Sequence, residues 1–299
     1  MRISQLFIAP DGRLRATWRA FIFLLGVVAL TSLFGLVVFS LSGLDPAQLP
    51  QEVRLLLGGV VSAPAVLLAS YVFLRWFDRR SFRQLGFWFY DGWSKELLWG
   101  LAGGVLLMTA VAVVLFLMGR MEFHLRGDVD AASLLLGLGW NLLLFLPPAA
   151  FEEFLFRGYL FQRLVEGWGE FAAIFVLSAL FGLGHLTNPS ATPFSVANTV
   201  LIGILFAVTY LKTRGLWLPI GLHYAWNFWL GSVASLPVSG IEIRNRLLDA
   251  TVRGPEWLTG GAYGPEASVV TTALVLAVTV WLLRTRRLGI SPAQAKALE

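Results

Sequence analysis

Long apolar runs alternate with short polar connections along this chain, and the connections are rich in arginine. A helix needs roughly 20 apolar residues to cross a hydrocarbon core of about 30 Å, because its backbone must satisfy its own hydrogen bonds in the absence of water. Eight segments fit that description, near residues 18–41, 55–77, 97–118, 131–146, 171–186, 195–211, 216–236 and 267–283. The fourth carries on past a break at Pro147 and Pro148. The pattern predicts an all-α fold, a polytopic membrane helix bundle of about eight transmembrane helices. It forms one membrane domain over 1–299, with a core at 131–236 that carries the polar motifs and a disordered tail at 291–299. Arg2, Arg13, Arg15 and Arg19 precede the first segment in the manner of a signal peptide. The segment is too long for one and lacks a clear small-residue cleavage site, so it reads as a retained helix.

Composition agrees with the pattern. Hydrophobic residues make up 57% of the 299 and charged residues only 14%, against about 25% charged in an average soluble domain. A water-soluble fold of this make-up would expose too much apolar surface. The net charge of +5 does not point to nucleic acid, because the cations sit in short clusters between apolar runs and not along one face. Those clusters report orientation instead. The amino-terminal arginines, the connection holding Arg75, Arg79, Arg80, Arg83 and Lys95, the 157–163 region, the Lys212 and Arg214 turn, and Arg284, Arg286 and Arg287 alternate with basic-poor connections. Both termini are therefore expected in the cytoplasm, as in a multi-pass protein of the cell (inner) membrane. The connection over 237–266 is the longest, with mixed charge and turns at Thr259-Gly260-Gly261 and Tyr263-Gly264-Pro265. There is no cysteine, which removes disulfides, thiolate ligands and a cysteine nucleophile. The Gly100 to Gly104 spacing suits close helix packing, read as an internal contact; the oligomeric state is not legible.

The informative residues are the polar ones inside apolar segments, since such groups are costly there and face a protein interior or a wet cavity. In Phe151-Glu152-Glu153-Phe154-Leu155-Phe156-Arg157, Glu153 and Arg157 are four apart, in the favourable order for a helical ion pair. Glu152 is rotated by about 100° and is left over. A carboxylate with no fixed counter-ion in a poorly solvated site moves toward the range where it takes a proton from water. The plainer alternative is a helix end with all three charges solvated. His185 closes Phe181-Gly182-Leu183-Gly184-His185, where the glycines permit close approach; read alone, it is a structural histidine. His223 and Asn227 share one helix face, and their alternative is polar glue between helices. These groups all lie between the fourth and seventh segments and, being buried, must satisfy one another. Convergence would assemble a base for water, a histidine beside it, and donors for a developing oxyanion, a set suited to amide hydrolysis with water as nucleophile.

The ordered trio Glu152-Glu153-x-x-x-Arg157, Phe181-x-x-x-His185 and His223-x-x-x-Asn227 resembles the motifs of the CPBP (CAAX protease and bacteriocin-processing) family of intramembrane glutamic endopeptidases, which includes the type II CAAX prenyl endopeptidase. The resemblance covers about 147–229. It implies an intramembrane endopeptidase without a cofactor or metal: Glu152 as general base assisted by His185, His223 and Asn227 as the oxyanion hole, and Glu153 with Arg157 fixing the site. It also implies a cavity open to the cytosol and to lipid, whose partners are the bilayer and a membrane-associated peptide or lipidated protein substrate of unspecified identity. Counting along the helices puts Glu152 and His223 toward the cytoplasmic side but His185 nearer the other, unless the fifth helix starts late or tilts, with 166–171 along the interface. Three rivals stand beside this reading. Zinc on the glutamates and histidines is weakened by the lack of His-Glu-x-x-His and by Asn227, a poor ligand. A proton-coupled transporter is weakened by the absence of repeated halves. A catalytically silent binding or immunity protein on the same scaffold is weakened by the intact motifs.

Overall fold

The computed structural model describes residues 4–299, so Arg2 of the basic amino-terminal group lies outside the described residues. In chain order the elements are α1 (Ser4–Phe7), α2 (Ala16–Ser42), α3 (Gln51–Val72), α4 (Trp93–Leu117), β1 (Met121–Leu125), α5 (Ala131–Arg157), α6 (Tyr159–Trp168), α7 (Glu170–Gly184), α8 (Pro193–Thr213), α9 (Trp217–Phe228), β2 (Leu248–Val252), α10 (Glu256–Thr259), α11 (Val269–Arg284) and α12 (Pro292–Leu298). Single wide turns extend α3 through Phe73–Phe77 and α9 through Trp229–Val233. All eight apolar segments are helical, and the protein is an all-α polytopic membrane bundle. Five spans are long and apolar enough to cross a bilayer: Ala16–Ser42, Gln51–Phe77, Trp93–Leu117, Ala131–Trp168 and Pro193–Thr213. The apolar helices α7 and α11 have 15 and 16 residues, about 23 Å at 1.5 Å per residue, which is short of the hydrocarbon core.

The connections sort to two faces. On the first, Arg13 donates to the Asp78 carbonyl (3.4 Å), Gln84 to the Leu298 carbonyl (3.4 Å), Trp88 to Gln294 Oε1 (2.7 Å) and Gln294 to the Arg214 carbonyl (2.9 Å). Both described ends of the chain thus meet at one face, among the arginine-rich connections. On the second face β1 pairs antiparallel with β2, Met121 opposite Val252 and Leu125 opposite Leu248, and Glu52 lies 3.6 Å from Arg244. At the first face a partly buried charge cluster joins three elements: Arg19 of α2 contacts Asp78 and Glu166, and Arg163 of α6 reaches Glu166 at 2.5 Å and Asp78 at 3.3 Å. Two cations against two anions balance, which is the condition for keeping charges of this kind out of water.

Close helix approach depends on glycine. A Cβ on Gly100 would lie 2.3 Å from the Leu218 carbonyl oxygen, and one on Gly104 would lie 2.4 Å from that of Leu222, so the Gly100 to Gly104 face packs inside the molecule, α4 on α9. Gly59 of α3 meets the backbone of Pro147 and Pro148 in the same way, with a Cβ 2.3 Å from the Pro148 nitrogen.

Four expectations need correction. Pro147 and Pro148 do not break their helix, since α5 runs from Ala131 to Arg157; the proline pair is braced by the flat surface at Gly59. Residues 291–299 are not a disordered tail: Ser291 caps α12 by accepting from the Gln294 backbone, and the buried Gln294 side chain docks the helix. The fifth apolar helix does not start late; it begins at Glu170, after the separate amphipathic helix α6, whose Tyr159, Leu160, Phe161 and Leu164 face the core. A small sheet, β1 with β2, joins two connections that the hydropathy pattern left as loops.

Gly59→Ala is expected to destabilise the fold by about 1–3 kcal/mol through overpacking. Gly58→Ala next to it, with nothing within 4 Å of the new Cβ, is expected to be neutral or stabilising by up to about 1 kcal/mol. Thermal unfolding of the two variants in the same detergent checks the contrast.

Candidate active site

Helix α5 presents Glu152 and Glu153 on neighbouring faces, and the two side chains meet different surroundings. Glu153 is fully buried. Its Oε1 accepts from Arg157 Nη1 at 3.1 Å, one helical turn on, and lies 2.9 Å from His223 Nδ1 of α9. Arg157 also donates from Nη2 to the Gly203 carbonyl of α8 (3.0 Å). Its guanidinium sits over the Phe181 ring at 4.6 Å and the Phe206 ring at 5.2 Å, where the ring faces favour a cation that has left water. One carboxylate and one guanidinium thereby tie α5, α7, α8 and α9 together.

His223 is held on both sides. Its ring stacks on Phe206 with centroids 4.9 Å apart. With Glu153 ionised against Arg157, Nδ1 carries the hydrogen of the 2.9 Å contact, which turns Nε2 toward Glu152, 3.7 Å from Oε2. That separation is too long for a direct hydrogen bond. Asn227 lies one helical turn beyond His223, on the same face of α9. His185 caps the end of α7, and its ring reaches back one turn to the Phe181 carbonyl (2.8 Å from Nδ1). The Phe181 ring lies between the two imidazoles, 4.9 Å from His185 and 6.2 Å from His223.

Glu152, His185, His223 and Asn227 all line one cavity of about 340 Å³. Glu153 and Arg157 stand behind it. His185 lines the same cavity without a late start to α7, its ring folded back toward its own helix. Leu85, Phe154, Tyr210 and Leu216, which pack toward the first face, are all buried. The connection residues that border the cavity, Asn188, Ser239, Ile241 and Glu266, belong to the second face.

Glu266 is the polar residue that reading the sequence missed. It stands between α10 and α11, outside the fourth-to-seventh interval in which the buried polarity was expected, yet it is only 5% exposed and lines the same cavity. It accepts from Trp226 Nε1 (2.9 Å), from Ser239 Oγ (2.9 Å) and from the Ser239 backbone. Burial pushes its carboxyl above the ordinary carboxylate range, against the pull of those donors. Its place three residues ahead of the apolar helix α11 was the one available signal, and a connection of mixed charge hid it. Among the described residues no three His, Asp or Glu side chains are grouped to hold a metal ion.

Glu153→Gln leaves Arg157 and His223 without their shared anion and is expected to destabilise the protein by about 3–5 kcal/mol. Glu152→Gln, at the cavity wall, is expected to stay within about 1 kcal/mol of the parent. Equal losses in thermal unfolding would show that the two carboxylates are not divided in this way.

The comparisons with known proteins bear on the same stretch of chain. Residues 134–229 match the family model for type II CAAX prenyl endopeptidase Rce1-like proteins, a run from the first turn of α5 to just past α9 that holds Glu152, Glu153, Arg157, His185, His223 and Asn227 but not Glu266. No curated protein and no solved structure matches the chain. Residues 134–229 thus carry an Rce1-like domain, set within a polytopic membrane bundle, and the likeness to that CAAX protease family supports a membrane endopeptidase.

Proposed function

We propose that the protein hydrolyses a peptide bond of a membrane-associated substrate by glutamate-activated water, without a metal. The observation that carries this reading is the division of labour between adjacent carboxylates: Glu153 is committed to Arg157 and His223, while Glu152 faces the cavity with His223 Nε2 3.7 Å away. A water beside this pair in the cavity can contact both atoms at about 2.8 Å each. Glu152 takes a proton from the attacking water as its oxygen bonds to the scissile carbonyl carbon, and the proton is returned to the leaving nitrogen as the carbon–nitrogen bond breaks. His185, on the same cavity, assists in holding the water. His223 and Asn227 project from one face of α9 as donors to the developing oxyanion. For His223 to donate from Nε2 while Nδ1 keeps its hydrogen toward Glu153, the ring must carry both hydrogens, and the carboxylates of Glu152 and Glu153 together balance the charges of His223 and Arg157. Metal independence is supported by the donor set: with Glu153 engaged, Glu152 and the two histidines would be joined by Asn227, a poor zinc ligand.

The arginine-rich face that gathers both described chain ends is assigned to the cytoplasm of a cell (inner) membrane by its charge. By the same charge argument the connection residues that border the cavity, Asn188, Ser239, Ile241 and Glu266, lie on the side away from the cytoplasm, while the family resemblance implies a mouth toward the cytosol and lipid.

Glu152→Gln is expected to abolish cleavage of a prenylated CAAX peptide in lipid nanodiscs, and Asn227→Ala to lower kcat by about 10²–10³. Product analysis by mass spectrometry reads both, and cleavage by Glu152→Gln at the parental rate would remove the base from the mechanism.

A further inference from the structure

Glu266 does more in the fold than fill space. It lies in the short turn Pro265–Ala267 ahead of α11; its Oε1 accepts from Trp226 and its Oε2 accepts twice from Ser239. Trp226 is the residue before Asn227 on α9, and it is 1% exposed. Ser239 holds a left-handed backbone, φ +49°, which a residue with a Cβ adopts only when its surroundings hold it there. Those surroundings are specific. Glu266 takes its backbone N–H and its hydroxyl, and Asn188, three residues past His185, donates to its carbonyl at 3.1 Å. Gly240 then donates to the Tyr263 carbonyl at 2.8 Å. The backbone of Glu266 is fixed in its turn by Asn198 of α8, which donates to its carbonyl at 2.8 Å.

Ser239, Ile241 and Glu266 line the cavity that also holds Glu152, His185, His223 and Asn227. Three protein donors hold the two oxygens of Glu266, so the side chain is tied to the protein rather than held out toward a substrate. It connects the α9 wall, immediately behind Asn227, to a strained turn on the second face. We propose that Glu266 is a positioning residue that fixes the Ser239 turn as a wall of the substrate cleft, and so governs substrate binding more than bond breaking. This rests on the proteolytic reading of the cavity, under which a peptide occupies the space beside Ile241. The chemistry asks for a carboxylate: Gln at 266 has a single acceptor oxygen, and its amide NH2 would face the Ser239 N–H donor to donor.

Two readouts test it. For the prenylated CAAX peptide, Glu266→Gln is expected to raise KM about tenfold with kcat within about threefold, the size of one buried hydrogen-bond defect acting on binding. Ser239→Ala, which keeps the backbone bond, should move KM the same way by a smaller factor. The second readout does not depend on catalysis. The chain has no cysteine, so Ile241→Cys is a unique thiol; its reaction rate with a small maleimide should rise at least about fivefold when Glu266→Gln frees the turn, while Ala295→Cys on the opposite face stays unchanged. If Glu266→Gln fails to fold, Ser239→Ala carries both measurements. An unchanged thiol rate overturns the proposal, as does a collapse of kcat with KM intact. If the parent protein cleaves no peptide at all, the proteolytic reading is what fails, and the thiol rate still decides whether Glu266 holds the turn.

Discussion

The fully buried carboxylate of Glu153 is the constraint around which this bundle is organised. An anion in that position cannot stand without compensation, and Arg157, one turn along the same helix, supplies a cation that itself needs acceptors and ring faces. The Gly203 carbonyl, Phe181 and Phe206 provide them from α8 and α7, and His223 from α9 completes the shell. Four helices are brought to one point by the needs of two charges. The cavity follows from that convergence, since Glu152 is carried to its wall by the 100° step between adjacent helix positions.

Much of this was legible in the sequence, for reasons that can be stated residue by residue. Apolar runs of membrane length are forced by the bilayer, so the eight helical segments could be read directly. The four-residue spacings Glu153 to Arg157 and His223 to Asn227 fix shared faces wherever a helix forms, and a buried polar group predicts a partner, which is why the groups were expected to meet. Gly100 and Gly104 signalled close packing because nothing else explains two such small residues one turn apart in an apolar helix.

What escaped was set by tertiary context. Pro147 and Pro148 carry an intrinsic signal for a helix break, and only the flat surface at Gly59 shows why α5 continues. The disorder expected at 291–299 came from its terminal position, while the structure docks α12 through Gln294 and the Leu298 carbonyl. Glu266 looked like one acid among several in a long connection; its importance comes from Trp226 and Ser239, 40 and 27 residues away, a proximity that no local pattern encodes. The side from which the cavity is bordered likewise depends on which connections fold over it.

The central claim is that Glu152 acts on water and does not itself attack the peptide. A single-turnover cleavage in water enriched in oxygen-18, with enzyme in excess over peptide, tests it directly. The account predicts one heavy oxygen in the new carboxyl group of the first-turnover product and none in Glu152, as read by mass spectrometry of the digested enzyme. Heavy oxygen in the Glu152 side chain with an unlabelled first product would mean that the carboxylate had formed a covalent intermediate, and would contradict it.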